Sequence, residues 1–122
     1  MPILILRPTP TTDLTSVEAM ALLDTGATIS GVAKHVVRQL DLPRVGRRPL
    51  MSAQGLGQVE RFLFRFGLKI SDSPSAFPYI FRETMGFEIV DGSSFDALIG
   101  MDILSQCDFE MRRDGTCRLS FG

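Results

Sequence analysis

Histidine occurs once in this chain of 122 residues and cysteine twice, and the formal net charge is only −1. Each shortage excludes something. One histidine, His35, and two cysteines do not make a zinc site, and the sequence calls for no metal or cofactor. The same shortage argues against a Ser-His or Cys-His nucleophile pair, since His35 falls on a helical face and reads as a surface or half-buried residue. A balanced charge leaves no electrostatic footprint for nucleic acid. Arg44, Arg47 and Arg48 form the one basic cluster and read as a solvated loop. Long apolar runs are missing too: Ile3-Leu4-Ile5-Leu6 is too short for a membrane span or a signal peptide. A cytoplasmic protein, or a soluble domain of a larger one, is the expectation. Residues 1–122 have room for a single domain with one modest core.

Cys107 and Cys117 flank a hairpin with Asp114-Gly115 at its turn. That turn is expected to set Cys117 opposite Arg112, not Cys107, so geometry disfavours a disulfide.

What is present is a pattern of short strands. Pro2 to Arg7 reads as a strand closed by Pro8 and Pro10. Ser16 to Leu23 is a second strand, and Ile29 to Val32 a short extended piece. Ala33, Val36, Val37 and Leu40 keep helical spacing until Pro43 stops it. Pro49 to Ala53 and Val59 to Ile70 read as long strands on either side of Gly55-Leu56-Gly57. In the second, Phe62, Phe64, Phe66, Leu68 and Ile70 alternate with Arg61, Leu63, Arg65, Gly67 and Lys69. The phenylalanine face is expected in the core and the basic face in water. Tyr79 to Phe81, Phe87 to Val90 and Phe95 to Ile99 are further strands, with a helix at Met101 to Gln106. Asp108 to Met111 and Cys117 to Phe121 close the chain as a hairpin. The fold class is all-β with two short helices, in a closed or barrel-like sheet.

Asp24-Thr25-Gly26-Ala27 follows directly on the apolar strand Val17 to Leu23. A carboxylate delivered there is expected to have poor access to solvent, and must then be hydrogen-bonded or paired. Gly26 allows a tight loop and close approach of backbone amides, and Thr25 offers a hydroxyl to brace it. Taken alone, the acid could simply cap its own turn. A second segment, Phe95-Asp96-Ala97-Leu98-Ile99-Gly100-Met101-Asp102-Ile103-Leu104, runs from a strand through glycine into a helix. Asp91-Gly92-Ser93 and Asp114-Gly115-Thr116 also echo Asp-X-Gly, but without a delivering strand they read as turns.

In their order and spacing the two main segments resemble the aspartic proteases of the retropepsin type, from about Ile3 to Phe121. That resemblance implies one barrel lobe per chain, with Asp24 catalytic and Thr25 and Gly26 supporting its loop. It also implies a homodimer that brings two Asp24 carboxylates together, because the chain supplies one suitable acid. Pro2 to Arg7 and Cys117 to Phe121 are then candidates for the dimer sheet. Pro49, Met51 and Gly55-Leu56-Gly57 are similar to the family's flap. With Ala27, the residues Gly55, Leu56 and Gly57 would contact an extended peptide or protein substrate beneath it. No nucleic-acid or membrane partner is implied.

One departure is clear. Viral members pair an acid two residues after Asp-Thr-Gly with an arginine after the late glycine, where this chain has Thr28 and Met101. Both partners are missing together, so a different brace is expected. Asp102 sits where the family has an acid or amide, and its place at a helix N-terminus is a sufficient reason by itself. Gly-Met-Asp is similar instead to non-viral members, bacterial proteins and the DNA-damage-inducible shuttle proteins. The alternative function is a catalytically weak or inactive dimeric module that binds peptides or assembles on the same fold.

Overall fold

The computed structural model describes residues 1–52, 55–70 and 76–121, the side chains of residues 50–52, 55 and 56 excepted. Among the described residues, ten strands and two helices follow in the order β1 (Pro2–Leu6), β2 (Ser16–Leu23), β3 (Gly31–Ala33), α1 (Lys34–Leu40), β4 (Arg44–Ser52), β5 (Gly55–Leu68), β6 (Tyr79–Ile80), β7 (Thr84–Ile89), β8 (Ala97–Ile99), α2 (Met101–Leu104), β9 (Asp108–Met111) and β10 (Cys117–Ser120).

The main sheet runs β1-β2-β8-β3-β7-β5-β4, and β1 also pairs with β5. That extra pairing closes a barrel. Closure is possible because β5 is long enough to serve four partners along its length. Its residues 55–62 pair with β4, 61–64 with β7, 65–67 with β1, and 67–68 with β6. The period-two pattern decides which face turns inward. Phe62, Phe64, Phe66 and Leu68 are all buried, joined by Ile3 and Ile5 of β1 and by Ile99 and Ile103. Burial of such side chains from water is the main stabilising term.

The other face of β5 departs from expectation. Arg65 is buried, not solvated. Its Nε donates to Arg7 O at 2.6 Å, and its two terminal nitrogens donate to Thr11 O at 3.1 Å and Asp13 O at 2.6 Å. The loop after β1 has no ladder for these carbonyls, so a single guanidinium satisfies three of them.

α1 buries Val36, Val37 and Leu40. It ends where Asp41 turns left-handed, φ 48°, with Asp41 N–H donating to Arg38 O and Leu42 N–H to Val37 O. This is the usual way to satisfy the last carbonyls of a helix, and Pro43 follows. α2 is one turn, shorter than the expected span to Gln106, and buries Ile103 and Leu104.

Two pairing expectations need correction. Pro2 to Arg7 is not a free edge for a dimer: β1 is flanked by β2 and β5 and its residues 3–6 are buried. Cys117 faces Met111, not Arg112, in the β9–β10 hairpin. Arg112 N–H instead donates to Thr116 O inside the turn. Both thiols are free, and burial raises the pKa of Cys107 above the ordinary thiol value.

Candidate active site

β2 and β8 lie side by side and parallel, with Leu23 opposite Ile99. Both strands therefore deliver their following loops at one level. Asp24 N–H donates to Ile99 O at 2.9 Å, fixing the start of its loop against the neighbouring strand. Ala27 N–H then returns to Asp24 O at 3.2 Å, and Gly26 N–H donates to Asp24 Oδ1 at 2.9 Å. A Cβ on Gly26 would stand 3.2 Å from Oδ1, tighter than an ordinary contact, so glycine eases the approach of this amide to the carboxylate. From the other side, Met101 N–H donates to Ala27 O at 2.8 Å. Gly100 is needed for that approach, since a Cβ there would be 2.9 Å from Ala27 O and 3.0 Å from the Ile29 carbonyl carbon.

Asp24 itself is half-buried, with Thr25 and Gly26 exposed and Ala27 half-buried. The expectation of poor solvent access is thus corrected. The loop leaves the carboxylate partly open to solvent in the single chain.

The expected substitute for the missing ion pair is present. Asp102 Oδ2 accepts Ser30 N–H at 3.0 Å, and Asp102 Oδ1 accepts the Ser30 hydroxyl at 2.6 Å and Ile103 N–H at 2.9 Å. Ser30 Oγ in turn accepts Gly100 N–H at 3.0 Å. Ser30 is wholly buried. Its hydroxyl ties the far end of the Asp24 loop to both the glycine and the helix that follow β8. Asp102 therefore does more than complement a helix end. Ser30 went unnoticed in the sequence because a lone serine after Ile29 belongs to no motif. The one available signal was the simultaneous loss of both family partners at Thr28 and Met101.

The remaining acids separate cleanly. Asp114 Oδ1 accepts Thr116 N–H and its hydroxyl at 3.0 and 2.7 Å, which holds this carboxyl below the usual range and makes it a turn acid. Asp91 accepts from His35, through the backbone N–H at 3.1 Å and in contact with Nδ1 at 3.0 Å. Nε2 of the same ring lies 3.4 Å from Asp96, so His35 bridges two acids of the β7–β8 connection. Among the described residues no group of three or more His, Cys, Asp or Glu side chains is arranged to hold a metal.

β4 and β5 form the hairpin expected to carry a flap, but its register differs from the sequence reading. Gly55, Leu56 and Gly57 belong to β5, opposite Ser52, Met51 and Leu50. The residues between the paired Ser52 and Gly55 are 53 and 54, outside the described residues. Near the barrel the ladder is interrupted by a bulge between Arg44 and Gly46, where Gly46 has φ 124°. Glu60 spans this bulge. Its carboxylate meets Arg44 Nε and NH2 at 2.6 Å each and Arg47 Nε at 2.6 Å. Hydrogen bonding from Arg47, then Arg44, keeps the Glu60 carboxyl below its ordinary range. The basic cluster is thus partly an ion-pair network.

No helix among the described residues is long and apolar enough to cross a membrane. No family model matches the sequence, and no curated protein does. The fold is similar to the crystal structure of a retropepsin-like aspartic protease from Rickettsia conorii, with TM-score 0.59, 12% identity, and coverage of 98% of this chain and 81% of that one. Likeness at that identity speaks for architecture. This chain has the retropepsin-like acid-protease fold, mainly β with two short helices.

Proposed function

We propose that this chain is an aspartic endopeptidase of the non-viral retropepsin type, active as a homodimer. The observation that carries the proposal is the half-buried Asp24 carboxylate, held by Gly26 N–H at the mouth of the parallel β2–β8 pair. One such acid per chain supplies half of a dyad, and a twofold axis would supply the other half. Two carboxylates a few ångströms apart share a proton, because like charges so close do not both ionise readily. The unprotonated one takes a proton from water as the water attacks the peptide carbonyl. The protonated one donates to the carbonyl oxygen, and the dyad then protonates the leaving amine.

Thr25 is exposed in the single chain, where its hydroxyl is available to the partner's loop. With Gly26 it supports the acid. Ala27 lies beside the scissile bond, and Gly55, Leu56 and Gly57, on the ribbon spanning residues 49–60, cover the peptide. β10 is paired only with β9 among the described residues and offers the dimer a strand edge.

The test is cleavage of a peptide library, with Asp24→Asn as control. Wild-type cleavage that disappears in a folded Asp24→Asn dimer is the expected result. Cleavage that persists in the variant removes Asp24 from the mechanism. A library that is bound but left uncut transfers the chain to the peptide-binding reading.

A further inference from the structure

A single row of paired residues crosses the sheet beside Asp24. Leu22 of β2 lies opposite Leu98 of β8, Leu98 opposite Gly31 of β3, Gly31 opposite Phe87 of β7, and Phe87 opposite Arg61 of β5. Directly opposed residues point to one face of a sheet. The residues next in sequence, Ala21, Ala97, Ile99, Val32 and Phe62, are buried in the core, so the row faces outward. Leu22, two residues before Asp24, is 44% exposed. The middle of the row is filled by the Phe87 ring over Gly31, where a Cβ would stand only 2.9 Å from the ring. The far end is a cation.

Arg61 is the arginine of β5 whose hydrogen bonding is incomplete. Its NH1 donates to Met85 Sδ at 3.1 Å, and a thioether is a weak acceptor. Its Nε is buried and has no hydrogen-bond partner among the described residues. Arg65, on the same strand and face, spends its donors on three carbonyls, and Arg44 and Arg47 spend theirs on Glu60. Nε is closed off from solvent, so a ligand reaches this side chain through its terminal nitrogens, for which an anionic acceptor is a far stronger partner than the Met85 thioether. Space is open beside it. The residue opposite Arg61 on β4 is Gly46, and a Cβ there would meet nothing within 4 Å.

We propose that Arg61 is a specificity residue that binds the carboxylate of an acidic side chain, aspartate or glutamate, in the peptide substrate. The inference rests on the endopeptidase reading above and adds a substrate class to it. Four inter-strand steps separate Leu22 from Arg61, roughly 19 Å. An extended peptide rises ~3.3 Å per residue. The acid therefore lies about four to six residues from the scissile bond, the lower figure allowing for the long arginine stem. The terminal nitrogens of the guanidinium donate two parallel N–H bonds to a carboxylate.

The experiment is cleavage of a library randomised on both sides of the scissile bond, at a pH above the ordinary Asp and Glu range, by wild type, Arg61→Gln and Arg61→Glu. Wild type is expected to enrich Asp and Glu at one position by roughly tenfold over Lys and Arg. Arg61→Gln should flatten that position, and Arg61→Glu should invert it towards Lys and Arg. For one matched acidic peptide the loss should appear mainly in KM, as expected for a contact remote from the reacting atoms. The same acid preference in Arg61→Gln as in wild type overturns the inference and leaves the endopeptidase reading standing. No cleavage of any peptide by wild type overturns both. If Arg61→Glu does not fold, as judged by circular dichroism, the Arg61→Gln profile alone decides.

Discussion

The loop that carries Asp24 and the ribbon of β4 and β5 both depend on glycine, yet they are held in opposite ways. The loop is fastened from several sides: by Ile99 O at its start, by Met101 N–H at Ala27, and by Asp102 and Gly100 through Ser30. The ribbon beyond Arg61 is fastened by its own ladder, because β5 meets β7 only from Arg61 onward. Where it leaves the barrel it passes through a bulge bridged by Glu60. The comparison teaches a division of labour. On the proposed reading, a loop that positions a reacting carboxylate needs redundant restraints, whereas a ribbon that admits and releases a peptide needs few. A glycine in the loop permits close contact, and one in the ribbon, such as Gly57, stands in open space.

The sharpest way to break the comparison is at Asp24, the proposed reacting group. Asp24→Asn should abolish cleavage with the melting temperature nearly unchanged, since the amide keeps the shape but loses the base. An excess of Asp24→Asn chains, once exchange with wild type is verified, should inhibit dominantly, because each mixed dimer holds one carboxylate. Activity that merely tracks the amount of wild-type chain would sink the shared site.

Next in size is the brace. Asp102→Ala leaves the Ser30 N–H and hydroxyl without their acceptor and should cost on the order of 3 kcal/mol. Ser30→Ala should cost less, about 1–3 kcal/mol, by orphaning Gly100 N–H. Both should lower activity as well as the denaturant midpoint. Full activity in a destabilised Ser30→Ala protein would mean the loop does not need this restraint.

The ribbon should respond differently. Leu56→Asp should raise KM while thermal unfolding stays near wild type; a protein that fails to fold would move Leu56 into the core. Glu60→Gln should speed amide exchange in residues 55–60 and leave residues 61–68 unchanged. Uniform acceleration along β5 would show that the bulge does not separate two regimes.

Acid should produce the smallest effect, and from the ribbon and surface side. Glu60, Asp13 and Asp91 all have carboxyl pKa values lowered in the fold by their hydrogen-bonded partners. The unfolded chain therefore takes up more protons as pH falls, so stability is full above about pH 4–5 and declines through the depressed values below it. Pulse proteolysis between neutral pH and pH 3 would detect this. A rise in stability over that range would contradict the ion pairs. Cleavage should follow a bell-shaped pH profile belonging to the dyad as a pair.

How much of this was legible in the sequence depends on the range of the forces involved. The strand at Phe62 to Leu68 was visible because alternation is local, and the Asp24 loop because Leu23-Asp24-Thr25-Gly26 is contiguous. Arg65 looked solvated because its carbonyl partners lie more than 50 residues away. β1 looked like an edge because nothing in Pro2 to Leu6 announces that β5 will pair with it. The flap register slipped because glycines suggest a turn, while the ladder that places Gly55 and Gly57 inside β5 belongs to two strands at once. Ser30 was the deepest omission, a short side chain whose meaning lies in residues 70 and 72 positions further on.

That separation also sets a schedule. Chains are synthesised at about 5–20 residues per second, so roughly 4–14 s pass between the appearance of Ser30 and that of Asp102. During this interval Asp24 is already made, but the strand and helix that fix its loop do not exist. Closing so long a loop is also a slow folding step. The acid cannot be held in its working position while the chain is still a fragment. On the endopeptidase reading proposed above, the hydrolytic group would thereby stay idle through the period when its own chain is most vulnerable to cleavage.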